Sequence, residues 1–494
     1  MIKPHQTLAL LLCVGLLAFI TSLIFPKEGI QVAGLKIEYF SFDALVSEDS
    51  IEVKNIDEIL ASTVIEIDST KIKDSLKLVA LAYRKKMLRI QYKNDTPNLN
   101  FFFKSLEGSK KTRIVHYGDS QIEGDRITSY IRNEFQKAYG GTGPGFIPAF
   151  QVIPNMTVTQ SHSENWKRYT AFGKRDSTLT HNQYGLLASF SKYSGSLSDM
   201  DSSNTSAWLE IKPSNIGYFR TRRFNQMKLL LGNNAQAFGM QVLVNDSIQV
   251  YADTIAANLN NRSIGINFKK SPANIKINFT GEEGPDIYGI SLESYSGVIV
   301  DNIAMRGSSG TIFRKIDQQQ LSQQYRKENI KLMILQYGGN AIPYITSEQR
   351  AKSFGRSFQK QIAYLKRLLP NCNFVVIGPS DMSTKLKDKF VTYPILPSVR
   401  DALKEAAFEE GCGYWDIYEV MGGANSMPAW VTASPQLAAS DYVHFTPKGA
   451  KKIAELFYKA IMDDFQVYKG ILPEENQNTT DSLNQPAPNA SISK

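Results

Sequence analysis

The 494-residue chain is 42% hydrophobic and 21% charged, an ordinary globular composition with length for two or three domains and a sizeable core. Its net charge of +9 is spread along the chain rather than gathered into a basic block, which argues against a nucleic-acid partner. The three cysteines have no Cys/His cluster around them and give no metal-ligating pattern.

Taken in chain order, residues 7–25 form an uncharged apolar run long enough to cross a bilayer. The run ends in Leu-Ile-Phe-Pro, without the small-x-small pattern of a cleavage site. Residues 1–26 are therefore expected to be an uncleaved signal anchor, with a cleaved signal peptide as the alternative. The bulk of the chain is then expected outside the cytoplasm. Residues 27–104 mix polar strand-like pieces with a helical run carrying Ile72, Leu76, Val79, Tyr83 and Met87, and read as an N-terminal subdomain.

From about 105 the pattern becomes α/β. The stretch "TRIVHYG" reads as a buried strand that breaks into Gly118-Asp119-Ser120. A helix follows, with Ile127, Ile131 and Phe135 at i, i+4 and i+8, and "GGTGPGF" ends it. Residues 151–297 change character, with short alternating segments such as "AWLEIKP", "QMKLLLG" and "FGMQVLVND" and a hairpin signal at Asn245-Asp246. They read as a β-sandwich inserted into the α/β domain. Strand–helix alternation then resumes over 298–470, so the α/β domain is discontinuous, 105–150 plus 298–470. The tail, 471–494, is rich in Asn, Ser and Pro and is expected to be disordered. Cys372 and Cys412 each open a strand-like segment; they form either a disulfide in an oxidising compartment or two separate buried thiols.

In a parallel α/β sheet the C-terminal strand ends converge on one edge, where sites form. Ser120 follows the first strand, Gly307 the second and Asn340 the third, while Asp441 and His444 precede the last helix. A serine hydroxyl attacks only when a base takes its proton. His444 can be that base, and Asp441 can fix its tautomer. The backbone N–H of Ser120, expected at a helix start, the N–H of Gly307 and the side-chain amide of Asn340 can face a developing oxyanion. Taken singly, each of these pieces is an ordinary cap, turn or loop. Their order and placement point to acyl transfer through an acyl-serine, with no metal or cofactor.

These residues resemble the SGNH (GDSL-type) hydrolases. Gly118-Asp119-Ser120 matches the first block of that superfamily. Gly307 in "MRGSSG" matches the second, with Gly310 three residues on. Gly338-Gly339-Asn340 matches the third, continued here by Ala341 where many members have Asp. Asp441-Tyr442-Val443-His444 matches the last. The resemblance implies a flavodoxin-like parallel sheet, catalytic Ser120, Asp441 and His444, and an oxyanion hole of Ser120, Gly307 and Asn340.

A narrower resemblance is to bacterial peptidoglycan O-acetylesterases and O-acetyltransferases, some of which carry a carbohydrate-binding β-sandwich after the first helix. It implies a serine esterase of the cell envelope, periplasmic and held to the inner membrane by its N-terminal helix, or exported if that helix is cleaved. The substrate would be an O-acetylated glycan such as peptidoglycan. Alternatives are an O-acetyltransferase using the same acyl-serine, with a membrane acyltransferase partner by analogy, and a non-catalytic glycan-binding protein.

Overall fold

Thr112–Gly118 is an inner strand of a parallel sheet, and all seven of its residues are buried. The structure, a computed structural model, describes residues 4–24, 30–32, 35–37, 54–63, 75–195 and 206–471. The chain divides into two units, Met1–Val53 and Lys54–Lys494.

In the first unit, Pro4–Ile24 is one helix, and Ile30–Val32 pairs antiparallel with Leu35–Ile37. Leu10, Leu12, Val14, Leu16 and Leu17 of the helix are exposed. Among the described residues no helix is long and apolar enough to cross a membrane, so the expected N-terminal anchor finds no support there. The tail beyond residue 471 lies outside the described residues, as do 38–53 and 64–74 of the expected N-terminal subdomain.

The parallel sheet of the second unit has five strands: β1 (Thr112–Gly118), β2 (Val298–Ala304), β3 (Ile330–Gln336), β4 (Asn373–Ile377) and β5 (Gly413–Trp415). Their spatial order is 2-1-3-4-5. Five helices accompany it: α1 (Thr128–Tyr139), α2 (Gln318–Lys327), α3 (Glu348–Leu368), α4 (Leu396–Glu409) and α5 (Pro447–Tyr468). Helices on both faces make the strands apolar on both sides. On one face Val115, Tyr117, Met333, Leu335 and Val376 pack with Leu321, Phe358 and Leu403 of α2, α3 and α4. On the other, Ile114, Ile334 and Val375 pack with Ile131 and Phe135 of α1 and Ile453 and Phe457 of α5.

The β5 edge is covered from the N-terminal side. Gln91 and Tyr414 exchange backbone hydrogen bonds of 2.7 and 2.8 Å, and Trp415 Nε1 donates to the Leu88 carbonyl at 3.1 Å. Leu99, Phe102 and Phe103 join the same core. This stretch closes a strand edge that would otherwise offer unpaired backbone groups.

Between α1 and β2 lie two antiparallel sheets. Ala207–Pro213, Phe238–Val244, Ile275–Thr280, Val158–His162 and Ile248–Ile255 form one; Gln226–Gly232, Asp286–Glu293 and four neighbours form the other. Leu209, Val242 and Ile277 of the first share a core with Met227, Leu229 and Ile290 of the second. The Asn245-Asp246 turn has positive φ at both residues, 51° and 72°, the geometry a tight hairpin favours. Asp286–Glu293 is buried at all eight positions, because its outer face packs against the α/β core through Tyr288.

A buried ionic cluster joins the two parts. Arg113 of β1 donates to Asp301 of β2 at 2.7 and 2.9 Å, pairs with Glu293 of the six-stranded sheet, and lies 3.2 Å from Glu328. Lys111 and Lys228 complete it at 2.6 Å from Glu293 and 2.9 Å from Glu328. Cys372 and Cys412 are buried free thiols, not a disulfide. Burial raises both, Cys412 to about 12.

His116 of β1 is fully buried, with Nε2 3.1 Å from Gln336 Oε1 and Nδ1 2.9 Å from Thr128 Oγ1. Burial lowers its pKa from 6.5 to about 3, against a weaker pull from Gln336. A depressed folded pKa gives stability that is complete above 6.5 and is lost as pH falls toward 3. Buried Asp416 and Asp464, raised by burial to about 6 and about 7, act in the opposite sense, so wild type must be compared with His116→Gln. The stability gap between the two should narrow by about 1.4 kcal/mol per pH unit below pH ~6, measured by urea unfolding.

Candidate active site

The site is assembled by the ends of β1 and β3 and by the loop before α5. Ser120 lies two residues beyond β1, and Asn340 four residues beyond β3. β1 and β3 flank the point where the strand order reverses, the place where open α/β sheets bind ligands. Asp441 and His444 lie in the turn before α5, whose N-terminus Thr446 caps.

The 441–444 turn is built around the Asp441 carboxylate. Oδ1 accepts from the backbone N–H groups of Val443 and His444 at 2.9 and 3.0 Å, and Oδ2 lies 2.7 Å from His444 Nδ1. Burial would raise the Asp441 pKa, but the His444 and Val443 contacts outweigh it and hold the carboxyl below its ordinary value. An ionised carboxylate only accepts, so His444 Nδ1 carries the proton and Nε2 presents a lone pair. That lone pair faces the Ser120 hydroxyl at 2.8 Å. The arrangement can take a proton from a serine as it attacks a carbonyl carbon.

Asn340 sits in a 3₁₀ turn, Gly339–Tyr344, entered through Gly338 at φ 128°. A Cβ at Gly338 would lie 2.9 Å from Leu403 Cδ1 and 3.0 Å from Pro379 Cδ, so only glycine fits the turn that presents Asn340. Asn340 Nδ2 donates to the Ser308 carbonyl at 3.4 Å, drawing the loop after β2 toward the site. Ser120, Asn340 and His444 line one cleft of about 260 Å³. Gly307 does not line it; at φ 78° with open space around its Cβ position, it lies beside Ser308 on the adjoining loop. The structure thus brings Ser120, Asn340, Asp441 and His444 together, with Gly307 on the loop whose Ser308 carbonyl Asn340 contacts.

One expectation changes. Ser120 does not begin an α-helix. A single 3₁₀ turn, Glu123–Asp125, intervenes and α1 starts at Thr128. Gly124 and Asp125 turn left-handed, at φ 69° and 65°, which ends any helical path from Ser120. Asp125 is held there by Arg132, 2.6 Å from its Oδ2.

Several neighbours escape a search for catalytic residue types. Arg126 donates to the carbonyls of Ser120 at 2.7 Å and of Phe445 at 3.0 Å, clamping the serine turn to the histidine turn. Gln121 Nε2 makes a parallel link to the Val443 carbonyl at 2.7 Å. Both stand within six residues of Ser120 in "SQIEGDR", which is the only sequence signal they carry. Asp119 is buried behind Asn340. Burial raises its carboxyl to about 6, partly offset by the Gln121 backbone N–H and the Asn340 side chain. Replacing Arg126 with Ala should lower kcat about 10- to 100-fold on an aryl acetate with little change in KM, because it loosens the serine–histidine geometry without touching the ester.

A GDSL-like lipase/acylhydrolase family profile matches residues 239–457, which contain Gly307, Asn340, Asp441 and His444. The chain carries a GDSL/SGNH hydrolase domain. The domain is that of a serine esterase. The profile match begins within the antiparallel sheets and omits Ser120, which the fold returns to the site through β1.

Among solved structures, a peptidoglycan O-acetylesterase superposes with a TM-score of 0.58 at 21% identity, covering 77% of this chain and 99% of that one. That likeness concerns the fold. An acetyl xylan esterase (TM-score 0.26, 14% identity, 33% and 81% coverage) and a family two carbohydrate esterase from Cellvibrio japonicus (0.25, 8%, 63% and 99%) overlay too loosely to bear on it. The comparison with curated proteins finds no match. None of these comparisons supports a membrane acyltransferase partner.

Proposed function

We propose that this hydrolase removes O-acyl groups, foremost O-acetyl, from a cell-envelope glycan such as peptidoglycan, through an acyl-Ser120 intermediate. The observation that carries the reading is the continuous Ser120–His444–Asp441 hydrogen-bond chain opening on the cleft, at 2.8 and 2.7 Å. In the first half-reaction His444 Nε2 takes the Ser120 proton as Oγ bonds to the ester carbon. Asn340 Nδ2 and the backbone N–H groups of Ser120 and Gly307 are the donors proposed for the oxyanion. Collapse breaks the bond to the sugar oxygen, which leaves with the proton from His444. In the second, His444 takes a proton from water, the hydroxide bonds to the acyl carbon, and Ser120 is released with acetate.

The rim of the cleft favours a sugar. Tyr344 is 80% exposed on its wall and Tyr393 lines it. Beside His444, Phe390 stacks on Tyr442 with ring centroids 3.7 Å apart. Aromatic faces beside a polar cleft suit pyranose rings, which present apolar C–H faces and polar edges. The likeness in fold to a peptidoglycan O-acetylesterase agrees with this substrate class, which would place the protein in the cell envelope. The test is mass spectrometry of O-acetylated peptidoglycan fragments before and after treatment, with free acetate measured alongside. Loss of acetyl groups matched by acetate is expected. Acetyl groups moved to an added glycan acceptor would replace the esterase by a transferase, and unchanged fragments would remove the substrate.

A further inference from the structure

Arg168 lies on the antiparallel strand Trp166–Thr170 and is mostly buried. Its guanidinium donates only to the Ser189 hydroxyl, at 3.3 and 3.0 Å, and no carboxylate among the described residues pairs with it. Burial lowers its pKa to about 10, against a weaker pull from the Glu123 carboxylate. It lines a small cavity of about 70 Å³ together with Glu123, Gln151, Asn155 and Asn302. The carboxylate bordering that cavity acts on Arg168 through space but makes its hydrogen bonds to Arg306, whose Nε lies 2.9 and 3.0 Å from the two Glu123 oxygens. Two guanidinium groups thus face one carboxylate. Gln151 Oε1 is buried without a hydrogen-bond partner. A buried charge and a buried unpaired acceptor are each costly unless a ligand completes them.

The cavity belongs to the active edge of the sheet. Glu123 is three residues after Ser120, and Ala304, also in its wall, pairs with Gly118. The inserted antiparallel sheets contribute Arg168 and Gln151, so the pocket forms only where the two parts of the chain meet.

We propose that this cavity is a carboxylate subsite, in which Arg168 takes the acid group of a glycan whose ester lies at Ser120. Gln151 Oε1 accepts a neighbouring hydroxyl or acetamido N–H of the same sugar. The volume suits a carboxylate-bearing substituent rather than a whole ring. The inference rests on the glycan reading above for its substrate class, but not for its test. It makes the enzyme selective for acidic glycans over neutral ones, with the charge read by the insert and the ester by the hydrolase domain.

The experiment uses hydrolysis of an aryl acetate by the full chain, inhibited by the N-acetylglucosaminyl–N-acetylmuramic acid disaccharide or by its carboxyl-reduced counterpart. The acidic disaccharide should inhibit wild type about tenfold more strongly than the reduced one. Arg168→Gln should erase that preference, and Arg168→Lys should keep part of it. Equal inhibition of wild type by the two, no inhibition by either, or a preference that survives Arg168→Gln would overturn the proposal. The wild-type comparison decides even if a variant does not fold. Failure of the glycan reading shows separately, as no acetate released from acetylated peptidoglycan while the aryl ester is still cleaved.

Discussion

Replacing Ser120 with alanine will lower kcat for ester hydrolysis by at least about 10⁴-fold while leaving the fold intact. The hydroxyl makes one side-chain contact, the 2.8 Å bond to His444, and no packed apolar surface leaves with it. What remains after the change is the cleft and its oxyanion donors, which alone retain a modest rate over water. His444→Ala should cost about as much, and the double variant little more than either, because the two groups act as one unit. Initial rates on an aryl acetate, with circular dichroism to confirm folding, check all three. Losses that add between Ser120→Ala and His444→Ala would mean that the groups work independently.

The second large effect concerns stability. Arg113→Met should lower the unfolding free energy by about 3–5 kcal/mol, the usual cost of removing one partner from a buried ion pair. Burial alone would weaken the Arg113 proton affinity, but Asp301, Glu293 and Glu328 outweigh it and raise the pKa. Without the cation, Glu293 keeps Lys111 at 2.6 Å, whereas Asp301 keeps only the Phe146 backbone N–H at 2.8 Å and must take up a proton. Methionine preserves the aliphatic stem beside the Phe146 ring, so the loss reports charge rather than a cavity. Lys93→Ala, breaking an exposed pair whose side chains are 57% and 50% accessible, should change stability by less than about 1 kcal/mol. Urea midpoints of the three proteins give the comparison.

The sequence made the strands and the triad readable because both depend on local pattern. "AWLEIKP" and "QMKLLLG" coincide with the strands Ala207–Pro213 and Gln226–Gly232, where alternation reports one face in a core. Asp441 and His444 are three residues apart, the spacing at which one carboxylate can hold both a backbone turn and a ring nitrogen. The path after Ser120 was not readable in the same way. "QIEGDR" looks like the first turn of a helix, and only the left-handed Asp125, paired with Arg132, shows where that helix is broken.

Charges inside strands were opaque for another reason. Arg113 reads as an ordinary member of the strand "TRIVHYG", and nothing in the sequence singles out Arg168. What distinguishes them is a partner set 180 and more residues away for Arg113, and, among the described residues, no carboxylate hydrogen-bonded to Arg168. Long-range electrostatics leaves no periodicity in the chain. Gly307 keeps its place in the motif order and stands exposed on the loop after β2, beside Ser308.

The acyl-serine account is tested most directly by treating the active protein with a fluorophosphonate and mapping the adduct by peptide mass spectrometry. The account predicts one phosphonyl group per chain, on Ser120, with activity lost in proportion to labelling and no label on Ser120→Ala. A protein that stays active and unlabelled, or that loses activity through an adduct on another residue, would contradict it.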